Sequence, residues 1–61
     1  MKYQIRDESV VEAESSSFCK AIEKFDKNIY TVGVEIWWRP NSIIPYRKLT
    51  DYEINQEIEK L

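Results

Sequence analysis

From Ile29 to Arg39 the chain alternates side chains with a period of two, a pattern that an extended strand satisfies and a helix does not. The alternation puts Tyr30, Val32, Val34, Ile36 and Trp38 on one face. Thr31, Gly33, Glu35, Trp37 and Arg39 fall on the other. The first set reads as a core face. The second is a solvent face that carries one large aromatic between two opposite charges, the kind of residue that anchors protein interfaces. A strand this apolar needs partners, so the fold must contain a sheet.

Two further strands precede it. Lys2 to Arg6 sets Tyr3 and Ile5 against Lys2, Gln4 and Arg6. With Asp7-Glu8 as a tight connection, Ser9 to Glu14 follows as an antiparallel neighbour, Val11 and Ala13 on one side and Val10, Glu12 and Glu14 on the other. A rival reading joins Val11, Phe18, Ile22 and Phe25 into one longer helix. The hairpin is preferred because Ser15-Ser16-Ser17 is poor helix interior and good cap material. Capped by Ser17, a short helix places Phe18, Ala21, Ile22 and Phe25 on one face. Pro40-Asn41-Ser42 ends the long strand, since proline cannot donate to a ladder. Ile43-Ile44-Pro45-Tyr46 has no period and reads as an ordered loop packed on the core. Thr50 and Glu53 then form a T-x-x-E capping box with Leu49 and Ile54 as its staple, and Ile54, Ile58 and Leu61 make the seam of a C-terminal helix.

The expected fold is therefore α+β: one domain over residues 1–61, a small single-layer antiparallel sheet (β-β-α-β) with a C-terminal helix. A chain of this length buries only about 60% of its unfolded surface, and its core supplies roughly 3–5 kcal/mol. With one cysteine and no histidine, neither a disulfide nor a conventional zinc site can supplement it. A partner or a second copy is the natural supplement.

The same inventory argues against catalysis. Without histidine, the usual general base and metal ligand are missing. Cys19 opens a helix but has no activating base, so it reads as a small half-buried residue. The carboxylates of the last helix are explained by capping and solvation, and the lone Gly33 cannot make a phosphate loop; it marks a bulge or a close approach of another surface. No enzyme activity, cofactor or metal is expected. With no apolar run of membrane-spanning length and no signal core after Met1, the chain reads as a complete cytoplasmic protein.

Charge is uneven in the second half. Residues 36–50 hold Arg39, Arg47 and Lys48 and no acid, interleaved with Trp37, Trp38 and Tyr46; residues 51–61 hold four acids and one lysine. The expected partner surface is Glu35, Trp37, Arg39, Tyr46, Arg47 and Lys48, and the expected function is a non-catalytic module that inhibits or adapts a larger protein, with a homodimer as a further option. The alternative is a nucleic-acid-associated regulator using segment 36–48, disfavoured because three cations are few and the net charge is −2. Two dull readings compete: a helix covers Trp37, or the acidic last helix neutralises Arg47 and Lys48. Over residues 1–39 the strand–strand–helix–strand plan resembles several small phage-encoded proteins that bind host enzymes, which implies an inhibitor of that mobile-element type.

Overall fold

A computed structural model describes residues 1–61 and gives six elements: strands β1 (Lys2–Asp7) and β2 (Val10–Ser15), helix α1 (Phe18–Lys24), strands β3 (Val34–Arg39) and β4 (Arg47–Lys48), and helix α2 (Asp51–Glu59). The four strands form one antiparallel sheet in the order β2-β1-β3-β4. The α+β plan with a C-terminal helix is the expected one, extended by the short β4. No helix is long and apolar enough to cross a membrane.

Alternation and register together define the two faces. Ile5 lies opposite Ile36 and Tyr3 opposite Trp38, so these side chains share the core face. Both helices cover that face. Ser17 caps α1, its Oγ accepting from the Lys20 amide, and Phe18, Ala21 and Phe25 are buried. Leu49 is buried in the same core, and Ile54 and Ile58 of α2 pack against it. The centre is Ile5, 0% exposed, and Ile36, 2% exposed. Leu61, expected in the α2 seam, is instead exposed beyond the helix end.

Four local expectations are corrected. The long strand begins at Val34, not Ile29: Tyr30 is 67% and Val32 96% exposed. The cause is a turn. The Asn28 carboxamide accepts from the Tyr30 amide, the Asn28 carbonyl accepts from the Thr31 amide, and these local bonds replace ladder bonds. Gly33 then adopts φ +93, and its carbonyl accepts from the Glu8 amide at 3.0 Å; a Cβ there would stand 3.3 Å from Glu8 Cγ. What approaches Gly33 closely is the first hairpin turn of the same chain.

The first hairpin turns at Glu8-Ser9 rather than Asp7-Glu8, with φ of 51 and 72, the double left-handed geometry that matches strand twist. A bulge lies in β2, where Ile5 pairs with Ala13 but Arg6 pairs with Val11, leaving Glu12 as the extra residue. Val11 and Ala13 therefore lie on opposite faces, and Val11 is exposed. Finally, the 43–46 loop does not pack on the core. Ile43 is 87% exposed and Ile44 is also exposed, because Asn41 Oδ1 accepts from both of their amides and folds the loop on itself.

The capping box of α2 is complete. Thr50 Oγ1 accepts from the Glu53 amide at 3.2 Å, and Glu53 Oε1 accepts from the Thr50 amide at 3.0 Å. Since α2 buries no residue fully, its start depends on this box. Thr50→Ala should cost about 1 kcal/mol, read as a lowered thermal midpoint. Glu53 is also bidentate with Arg47, both contacts 2.8 Å, and Arg47 together with the Thr50 amide holds its carboxyl down from 4.5 to about 2. A folded pKa below the unfolded one gives stability that is present above 4.5 and is lost as pH falls through about 2. Tyr3 is the opposite case. Burial, then its 2.6 Å hydrogen bond to Glu57, pushes it from 10.0 up to about 12, so its contribution holds below 10 and is lost as pH rises through about 12. Circular dichroism against pH should show both losses in those windows; helix signal unchanged from pH 5 to 2 would contradict the Glu53 assignment.

Candidate functional site

The face of the sheet away from both helices is where the unassigned chemistry gathers. By register it carries Gln4 beside Trp37 and Arg6 beside Glu35, with Lys48 on the far side of Trp37 and Glu14 on the far side of Gln4. Lys48 shares this face and Arg47 turns to the other, while Tyr46, just before β4, reaches this face through its contacts with Arg6 and Arg39.

Trp37 is half-buried, covered by side chains and not by a helix. The Arg6 guanidinium lies over its ring, 4.2 Å from the centroid. Tyr46 reaches across the sheet. Arg6 is 5.6 Å and Arg39 4.5 Å from its ring centroid, and its hydroxyl donates to Glu14 Oε2 at 3.4 Å. Gln4 Oε1 accepts from Arg6 Nε at 3.1 Å and from Nη2 at 2.7 Å, while Gln4 Nε2 donates to Glu14. The Trp37 indole N–H donates to Glu35 Oε1 at 3.2 Å, and the other oxygen of Glu35 receives Lys48 at 3.0 Å.

The electrostatics divide the cations into two kinds. Lys48 is paired with Glu35, and Lys2 lies 3.6 Å from Glu14. Lys48 first, then Trp37, lowers the Glu35 carboxyl; Gln4, more than Lys2, lowers that of Glu14. Burial above all, then Glu14, raises the Tyr46 hydroxyl. Arg6 and Arg39 have no carboxylate within ion-pair distance. Both guanidiniums contact aromatic rings, and that of Arg6 also a neutral amide; Glu35, the cross-strand neighbour of Arg6, acts on it only at longer range.

Of the six residues picked out by sequence, Glu35, Trp37, Arg39, Tyr46 and Lys48 are brought together here. Arg47 is not. It lies on the core side, 5.6 Å from the Trp38 ring and paired with Glu53 of α2. The acidic helix thus neutralises Arg47, as the duller reading expected, but leaves Lys48 to Glu35. Arg6, Gln4 and Glu14 were missed. Their outward alternation in the first two strands was readable, but their place beside Trp37 follows from β1 pairing with β3, which no local signal gives. Cys19, expected half-buried, is exposed, with Sγ 3.8 Å from Glu23 Oε1. Compared with protein-family models, curated proteins and solved structures, the chain matches none.

Proposed function

We propose that this protein is a non-catalytic binding module that works as an inhibitor or adaptor by laying the helix-free face of its sheet on a larger protein. The observation that carries this reading is the cluster of Trp37, Tyr46, Arg6 and Arg39 on that face. Tryptophan, tyrosine and arginine are the residues that dominate interface energetics, and here Trp37, Arg6 and Arg39 sit on strands of the sheet, with Tyr46 at the end of the loop that enters β4. Exposed Ile43 and Ile44 on the adjoining 40–46 loop add apolar surface at its rim.

A single strand of nucleic acid has less support. Stacking bases need free aromatic faces, and here guanidiniums already lie over both Trp37 and Tyr46. A lone exposed thiol at Cys19 suits a reducing compartment, and we place this activity in the cytoplasm.

Affinity capture from host cells with the wild-type chain and with Trp37→Ala tests the reading. A protein held by the first and released by the second, at unchanged circular dichroism, is the expected result. Identical captured sets would overturn it.

A further inference from the structure

Two of the chain's three arginines lie against aromatic rings with no carboxylate in direct contact, Glu35 reaching Arg6 only at longer range across the strand pair. Arg47 shows what this sequence does when it neutralises a guanidinium internally: a bidentate carboxylate with both contacts at 2.8 Å. Arg6 receives only the neutral oxygen of Gln4, although a glutamate would fit the same position in the strand. Its Nε–H and one Nη2–H are used there, so three N–H donors remain. Arg39 makes no hydrogen bond through its guanidinium. Tyr46 fixes the two relative to one another by stacking on both.

Resting on the protein-binding reading above, we propose that the occupant of this face is an acidic segment of the partner protein, whose carboxylates pair with Arg6 and Arg39 while apolar side chains contact Trp37. The charge complementarity is specific to this face. The chain as a whole carries −2, so an acidic partner is repelled elsewhere and oriented here. The guanidinium fork matches a carboxylate geometrically, and stacking on Trp37 and Tyr46 has already taken up much of the ordering cost of binding. The neutral Gln4 is the specificity element: it holds Arg6 in position without filling the anion site.

The test uses the intact ¹⁵N-labelled protein and a short poly-L-glutamate peptide, following the arginine Nε–H and indole N–H resonances. Saturable shifts of Arg6, Arg39 and Trp37, with Arg47 unmoved, are expected. Gln4→Glu should supply an internal carboxylate to Arg6 and weaken the peptide about tenfold, as should Arg39→Gln, the loss expected for one charge-assisted hydrogen bond. Thermal melts of both variants confirm folding, and either one suffices should the other not fold. Absence of saturable shifts, equal movement of Arg47 and the lysines, or unchanged affinity in the folded variants would overturn the proposal. Tighter binding of oligothymidylate than of poly-glutamate at the same salt would also do so, and would make the occupant a nucleic acid. If the peptide fails while capture still depends on Trp37, the acidic chemistry falls and the protein-binding reading stands. If capture does not depend on Trp37, that reading itself falls.

Discussion

Ile5→Ala should unfold the protein or leave it near its midpoint at room temperature. Ile5 is fully buried at the centre of β1, opposite the nearly as buried Ile36, with the buried core residues of α1 among its neighbours. Removing a buried isoleucine to alanine costs about 2–5 kcal/mol, and a domain of this size has roughly 3–5 kcal/mol in all. Urea denaturation measures it directly. Ile36→Ala should behave alike, and Ile5→Val should cost only about 1 kcal/mol. A folded Ile5→Ala protein with wild-type stability would mean that the core closes over the missing atoms or lies elsewhere.

The adjacent tryptophans should respond in opposite ways, because their neighbours differ. Trp38 shares the core face with Ile36 and packs against the buried cluster, so Trp38→Ala should cost about 3 kcal/mol of stability. The lower end of the usual range applies because Trp38 is half-buried and its indole N–H is a buried donor with no partner. Trp38→Phe removes that donor while keeping a ring, and should be much milder. Trp37→Ala loses chiefly the Arg6 stack and the Glu35 hydrogen bond, so the fold should weaken by no more than about 1 kcal/mol, whereas partner binding should fall by about 2 kcal/mol or more. Chemical denaturation and binding on the same samples separate the two effects. Unfolding by Trp37→Ala would make it a structural residue and remove the anchor.

The features readable from sequence were those whose cause is local. Ser17 and Thr50 cap the two helices because a hydroxyl needs only the next turn of backbone to satisfy. The alternation from Val34 to Arg39 placed Trp37 and Trp38 on their observed faces, and that of Tyr46, Arg47 and Lys48 separates the outward pair from Arg47 once β4 is known to exist. The same alternation misled over residues 29–33. There the pattern persists, but Asn28 offers its side chain to the backbone and Gly33 takes a positive φ outside regular strand geometry. The bulge at Glu12 left no pattern at all, being a property of the pairing between two strands. Arg6 and Gln4 belong to the candidate site for a reason of that kind: they lie more than thirty residues from Trp37 in sequence and one strand away in space.

That bulge has a bearing on how the protein survives at high concentration. β2 is an outer strand of the sheet, six residues long, with Val10 and Val11 exposed, and an unpaired regular edge of that length is a template on which further copies could add as strands of a growing fibril. Glu12 breaks the spacing such growth needs, and the Lys24 ammonium donates at 3.2 Å to the Glu14 carbonyl, occupying an acceptor on the edge strand and setting a charge beside it. The molecule can therefore present an aromatic face to a partner while its outer edge resists further strand pairing, and deleting Glu12 should make the hairpin regular and the protein more prone to aggregate, read as light scattering at high concentration.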